Sequence, residues 1–177
     1  DNVFVSAVKG NFDDCQRAVK NLFADEDFNA KLREKGVRVS SANSINFGRL
    51  APQIAYYFSA YVDLITGGKA EMGEQIDFVV PTGNFGDILA GWYAKQMGLP
   101  VRKLMCASNK NKVLADFFET GKYDVKRNFH RTMSPSMDIL VSSNLERLLF
   151  EISGRNAKLT ADRMKSLQQN GEYSITQ

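Results

Sequence analysis

The chain has 177 residues, 44% of them hydrophobic, 24% charged and 11% aromatic, with a formal net charge of +3. That composition suits one ordinary globular core and excludes a disordered chain. There is no apolar run near the ~20 residues of a membrane span and no signal-peptide pattern, and the basic residues, densest at Lys126, Arg127 and Arg131, form no stripe suited to nucleic acid.

In chain order, Val3–Val8 reads as a strand, followed by Gly10-Asn11-Phe12-Asp13-Asp14 and a helix with Cys15, Ala18, Val19, Leu22 and Phe23 on one face. Asp13 or Asp14 is the expected N-cap. Residue 1 is not Met and leads straight into this apolar run, which reads as a segment of a longer polypeptide. A polar stretch through Lys31–Gly36 precedes a short strand over Val37–Ser41. Asn43–Arg49 then opens a long helix whose apolar positions (Phe47, Leu50, Ile54, Tyr57, Phe58, Tyr61, Leu64) recur at helical spacing. Pro52 starts or bends its regular part, and Gly67-Gly68 ends it.

A second strand–turn–helix–strand run covers 76–107: apolar Ile76–Val80, the turn Val80–Asp87, a helix to about Met97 stopped by Gly98-Leu99-Pro100, and the strand Val101–Ala107. Asn109 or Asn111 is the expected cap of a helix ending at Gly121, with a loop from there to about Ser136. Met137–Val141 is a short apolar run, Ser143-Asn144-Leu145-Glu146 matches a capping box opening a helix to Ile152, and Thr160 is the expected cap of a last helix. Strands alternating with amphipathic helices predict a single α/β domain over 1–177. Its sheet is expected to be mainly parallel with helices on both faces, a Rossmann-like three-layer sandwich. Ligands of such sheets bind beyond the carboxyl ends of the strands, which puts Gly10–Asp14, Asn43–Arg49 and Thr82–Asp87 on one rim.

The Thr82–Asp87 turn has two readings. Gly83 and Gly86 give a tight strand-to-helix turn, as in many α/β proteins. They also leave no Cβ in the way of an anion facing the helix N-terminus, with Thr82 adding a hydroxyl and Asp87 turned away or capping. Neither the Walker nor the GxGxxG spacing is present. Asn43, Ser44, Asn46 and Arg49 are likewise either an N-cap cluster with an exposed arginine or a grip for a second anion. Asp13-Asp14 reads as helix capping. The two cysteines, Cys15 and Cys106, have no CxxC partner and read as buried reduced thiols of a cytoplasmic protein. The lone His130 reads as a loop or packing residue and no metal site is expected.

Four ordered motifs carry a family resemblance. They are Gly10-Asn11-Phe12-Asp13-Asp14-Cys15, Ser41-Ala42-Asn43-Ser44-Ile45-Asn46, Pro81-Thr82-Gly83-Asn84-Phe85-Gly86-Asp87, and Met137-Asp138-Ile139 with Ser143-Asn144 and Arg147. In these the chain resembles threonine synthase, a pyridoxal-phosphate (PLP) enzyme of the tryptophan-synthase-β structural type. The resemblance implies a large-domain portion of a PLP fold type II enzyme, which converts O-phospho-L-homoserine and water to L-threonine and phosphate, a lyase reaction. It implies that Gly83, Asn84, Phe85 and Gly86, flanked by Thr82 and Asp87, hold the cofactor phosphate. It also makes Asn43, Ser44, Asn46 and Arg49 candidates for the substrate's phosphate and amino-acid ends.

One departure stands out. The family's Schiff-base lysine lies in a motif resembling Ala-Phe-Lys-Asp, and no lysine here has that context. The family's partner for the pyridine nitrogen also finds no match. No catalytic residue is therefore assigned, and the expectation is a fragment inactive by itself, completed by the rest of its polypeptide, with self-association of the isolated fragment through uncovered surfaces. The alternatives are a threonine-synthase-like phospholyase and a non-catalytic phosphate- or nucleotide-binding module.

Overall fold

The computed structural model describes residues 2–175, which fall into two compact units divided between Ser40 and Ser41. In the first unit, α1 (Phe12–Ala24) is capped by Asn11, whose side chain accepts from the Asp14 amide while the Asp14 carboxylate accepts from the Asn11 amide. The cap is thus two or three residues earlier than expected, because a capping box needs its acceptor three residues before its acid. Asp25 ends α1 and caps α2 (Glu26–Glu34), accepting from the Phe28 amide at 2.8 Å. Asn29 ties the two helices, donating to the carbonyls of Leu22 (2.8 Å) and Asp25 (2.6 Å).

Two expected strands are absent. Val3–Val8 is irregular, with Phe4 89% and Val5 94% exposed, and no neighbour pairs with its backbone among the described residues. Val37–Ser41 is irregular as well, and much of the preceding polar stretch is helical, in α2. Both segments have β propensity, but a strand exists only when another strand supplies its ladder.

The second unit opens with α3 (Phe47–Leu50), passes through a 3-10 turn at Ala51–Gln53, and continues as α4 (Ile54–Thr66). Pro52 explains the change of pitch, since it has no N–H to give the helix and clashes with the preceding turn. β1 (Ile76–Pro81) and β2 (Val101–Ala107) pair in parallel, with Val80 opposite Cys106, and are joined by α5 (Gly86–Gln96). The α/β class and the parallel connection hold. The parallel sheet has these two strands among the described residues, because the other two segments expected to join it are irregular.

Helix α5 is buried along much of its length by small residues, Ala90, Gly91 and Ala94. A Cβ at Gly91 would come within 2.5 Å of the Tyr57 ring and 3.0 Å of Leu104, so glycine here allows α4, α5 and β2 to meet. Tyr57 packs edge-on to Phe78 at 4.8 Å.

Beyond β2, α6 (Val113–Thr120) ends at Gly121 in the left-handed conformation. What reads as loop then contains β3 (Lys122–Asp124), which pairs antiparallel with β4 (Glu172–Ser174). Three-residue strands fall below any periodicity signal. Burial of Tyr123 stacked on Tyr173 at 5.2 Å, against Phe117, holds them in place. The Tyr123 hydroxyl donates to the Leu140 carbonyl (2.9 Å) and accepts from the Ser142 amide (2.8 Å), fixing the chain before α7 (Leu145–Ile152). α8 (Ala157–Asn170) is capped by Asn156, four residues before the expected Thr160 cap.

Candidate functional site

The turn leaves β1 with the Thr82 amide donating to the Ala107 carbonyl at 2.8 Å, one further rung of the parallel ladder. The Thr82 hydroxyl donates back to the Val80 carbonyl at 2.6 Å, so its proton is engaged with the strand rather than aimed into the turn. Neither Gly83 nor Gly86 has positive φ; the left-handed residue is Phe85, at φ 65°. The glycines are required by close approach instead. A Cβ at Gly83 would lie 2.9 Å from Ile139 Cδ1, and one at Gly86 would overlap the Ser44 hydroxyl. Phe85 is held in its unfavourable conformation by burial of its ring, which packs 5.8 Å from that of Phe118.

Helix α5 begins with the Asn84 side chain accepting from the Gly86 amide at 3.0 Å. Among the described residues, no protein acceptor takes the amide N–H of Gly83, Asn84, Phe85 or Asp87. These free donors lie where the helix dipole is positive, an arrangement with the chemistry to accept an anion. Asp87 does not oppose it: Tyr57 donates to the Asp87 carbonyl (2.9 Å) and carboxylate (3.2 Å), holding that side chain toward α4. Burial, and then the Asp87 charge, push the Tyr57 phenol well above its ordinary value, which keeps it a donor.

The second loop meets the turn directly. Asn84 Nδ2 donates to Ser44 Oγ (3.0 Å) and Asn43 Oδ1 (3.3 Å). Asn46, rather than Ser44 or Asn43, caps α3, accepting from the Gly48 amide at 2.9 Å, while its Nδ2 donates to the Ser41 carbonyl at 3.2 Å. Arg49 is exposed on α3, and no hydrogen bond or ion pair engages its guanidinium among the described residues. Asn43, Ser44, Asn84 and Gly86 are thus brought together. Gly10–Asp14, expected on the same rim, lies in the other unit and caps α1.

Three further residues bind the site together: Asn144 and Arg147, which the sequence places only in a family motif and, for Asn144, a capping box, and Ser142, which it does not single out. Asn144, fully buried at 0% exposure, donates to the Asn84 carbonyl from its amide (3.0 Å) and its Nδ2 (3.1 Å), and from Nδ2 to Ser44 Oγ (3.1 Å). Ser142 Oγ donates to the Gly83 carbonyl at 2.8 Å. Arg147 donates to the carbonyls of Ser44 (2.9 Å) and Ile45 (2.6 Å). The N-cap of α7 is Asn144, one residue after the Ser143 expected to open a capping box, and its side chain reaches across to the turn instead of back to its own helix. The spacing of Ser143-Asn144 and Arg147 is a signal for these contacts, but local chemistry alone favours the cap reading.

Ile139 and Met137, the neighbours of Asp138 in the chain, pack against Gly83. The buried Asp138 carboxylate accepts from the Thr132 amide (2.8 Å), Thr132 Oγ1 (2.7 Å), Asn109 Nδ2 (2.8 Å) and Asn111 Nδ2 (3.0 Å). Asn109 and Asn111 therefore do not cap α6, whose N-cap is Lys112 without a side-chain bond. Burial pushes the Asp138 carboxyl up, but the four donors outweigh it and hold it below the ordinary carboxylate value. His130 joins the knot through its backbone, both its N–H and its C=O being bonded to Asn111. Cys15 and Cys106 are free and half-buried, and burial raises the Cys106 thiol. No cluster of metal-ligating side chains exists among the described residues, and no helix is long and apolar enough to cross a membrane.

No protein-family model matches the chain. It is 48% identical over 177 residues to the human protein named threonine synthase-like 1, covering 99% of this chain and 24% of that one. It is 46% identical over 175 residues to the threonine synthase of Pseudomonas aeruginosa, covering 35% of that protein. A PLP-bound threonine synthase from Brucella melitensis superposes with a TM-score of 0.79 at 45% identity, over 97% of this chain and 34% of that one. The yeast threonine synthase superposes with a TM-score of 0.77 at 39% identity. The chain spans about a quarter to a third of the length of these relatives.

Proposed function

Since the chain is homologous to a segment of threonine synthases over nearly its whole length, we propose that it is the part of such an enzyme that cradles the PLP phosphate and forms one side of the substrate site. The reaction of the whole polypeptide is then conversion of O-phospho-L-homoserine and water to L-threonine and phosphate. One observation carries this reading: four unengaged amides converge at the N-terminus of α5, on a turn whose nearby carboxylate is held aside by Tyr57. When bound, PLP supplies the electron sink that elimination and replacement at the substrate's side chain require.

The amides of Gly83, Asn84, Phe85 and Asp87 are the donors for the cofactor phosphate, with Thr82 and Gly86 shaping the turn. Asn43 and Ser44, fixed against that turn, offer amide and hydroxyl groups to the substrate, and Asn46 sets the start of α3. Arg49 brings a free guanidinium suited to a phosphomonoester. No lysine of this chain lies in the Ala-Phe-Lys-Asp-like context that the resemblance gives the Schiff-base lysine, so the lysine that carries the cofactor and moves protons is assigned to the rest of the polypeptide. The isolated segment is then inactive, is cytoplasmic in its native setting, and associates with itself through apolar surface such as Val79 and Met105.

The test is product analysis of the full-length polypeptide given O-phospho-L-homoserine and PLP, beside the isolated segment. Threonine and phosphate from the former only are expected; turnover by the segment, or no threonine from either, contradicts the reading. A threonine-synthase-like phospholyase is the second reading. It would release phosphate without threonine.

A further inference from the structure

Arg147 lies beside the site, yet its guanidinium faces backbone. Nη1 donates to the Ser44 carbonyl at 2.9 Å and to the Asn144 side-chain oxygen, and Nη2 donates to the Ile45 carbonyl at 2.6 Å. The guanidinium carbon sits 6.0 Å from the centroid of the Phe47 ring. Both terminal nitrogens are therefore engaged, and what they hold is two consecutive carbonyls of the loop that carries Asn43 and Ser44. That loop lies in neither helix nor strand; Asn43 also bonds locally, and Ser44 accepts from Asn84 and Asn144.

The glycine turn has separate tethers. Thr82 N–H to the Ala107 carbonyl and Ser142 Oγ to the Gly83 carbonyl bypass Arg147, and although Arg147 touches the Asn144 side chain, the Asn144 backbone amide holds the Asn84 carbonyl by itself. Loosening Arg147 would free the second loop while leaving the turn in place. We propose that Arg147 is a positioning residue: it fixes the Asn43–Asn46 loop at the distance from the glycine turn that gives affinity for the substrate's phosphomonoester, without contacting that phosphate itself. The inference rests on assigning that loop to the substrate.

The chemistry separates this role from direct anion binding. A lysine keeps the charge but replaces a planar fork with a point donor that cannot match two carbonyls in the same way. Losing one charge-assisted hydrogen bond corresponds to roughly a tenfold loss in affinity.

The experiment uses the full-length polypeptide with Arg147→Lys and Arg147→Met, each checked for fold by circular dichroism. Inorganic phosphate affinity, PLP affinity, and KM and kcat for O-phospho-L-homoserine are measured. Both variants should weaken phosphate binding and raise KM about tenfold or more, with PLP affinity and kcat within roughly twofold of the parent. Near-parental phosphate affinity in Arg147→Lys overturns the proposal, as does an equal loss of PLP affinity. If Arg147→Met does not fold, Arg147→Lys decides alone. Should the parent make no threonine, the functional reading fails, and the phosphate titration still tests the positioning role.

Discussion

The Ser44 hydroxyl occupies the space that a side chain at Gly86 would need. The first residue of α5 and the loop before α3 are thereby in van der Waals contact, and Asn84 hydrogen-bonds across the same joint. Gly86→Ala should push these loops apart and destabilise the protein by about 1–3 kcal/mol, the usual cost of forcing an extra methyl into a packed site. Urea denaturation monitored by circular dichroism would read the shift.

Phe85 should show an unusual order of substitutions. Its ring is buried, so Phe85→Ala loses about 3–5 kcal/mol. Its φ of 65° favours glycine, so Phe85→Gly should be more stable than Phe85→Ala by about 1 kcal/mol despite removing one more carbon. Equal midpoints for the two variants would show that the backbone conformation carries no strain.

Asn144 replaced by leucine, close to it in size, leaves Ser44 Oγ and the Asn84 carbonyl each short of a donor. A destabilisation of about 2–3 kcal/mol is expected from the lost buried hydrogen bonds, including the acceptor that the Asn144 side chain gives Arg147. Asn144→Asp should fare no better, since a carboxylate offers these acceptors no donor. Thermal melts of both variants check this.

The Asp138 knot predicts a pH signature. Its carboxyl is held below its ordinary value of 3.8, so its contribution is fully present above that value and is lost as pH falls through the lower folded-state value. Asp138→Asn should therefore lower stability at neutral pH and flatten the fall in stability below about pH 4 relative to the parent. Comparing urea midpoints of the two proteins from pH 7 to 3 isolates Asp138 from other acids held low, such as Asp77 and Asp116. Parallel curves would contradict the assignment.

The core strand–turn–helix–strand unit was legible because Ile76–Pro81 and Val101–Ala107 combine β-branched residues with sharp Pro and Gly boundaries. Pro52 marked the break before α4 for a similar reason. Val3–Val8 and Val37–Ser41 misled because propensity speaks for strands but says nothing about a partner. The tiny β3 and β4 depend on Tyr123 and Tyr173 meeting from positions far apart in the chain, which no local pattern encodes. At the site, the turn and the Asn43–Arg49 cluster were visible as polar loops after apolar runs. Their joining through Asn144 and Arg147 was not, because the local capping box accounts for Asn144 on its own helix and no local pattern points Arg147 to a distant loop.

The central claim is that the α5 turn holds the cofactor phosphate, and its most direct test is a PLP titration. The full-length polypeptide and its Gly86→Ala variant would be followed by fluorescence and by the phosphorus resonance of the cofactor. Saturable one-to-one binding is expected for the parent, with roughly tenfold or greater weakening in the variant, the equivalent of about one charge-assisted hydrogen bond. A folded Gly86→Ala protein that binds PLP as tightly as the parent would contradict the account.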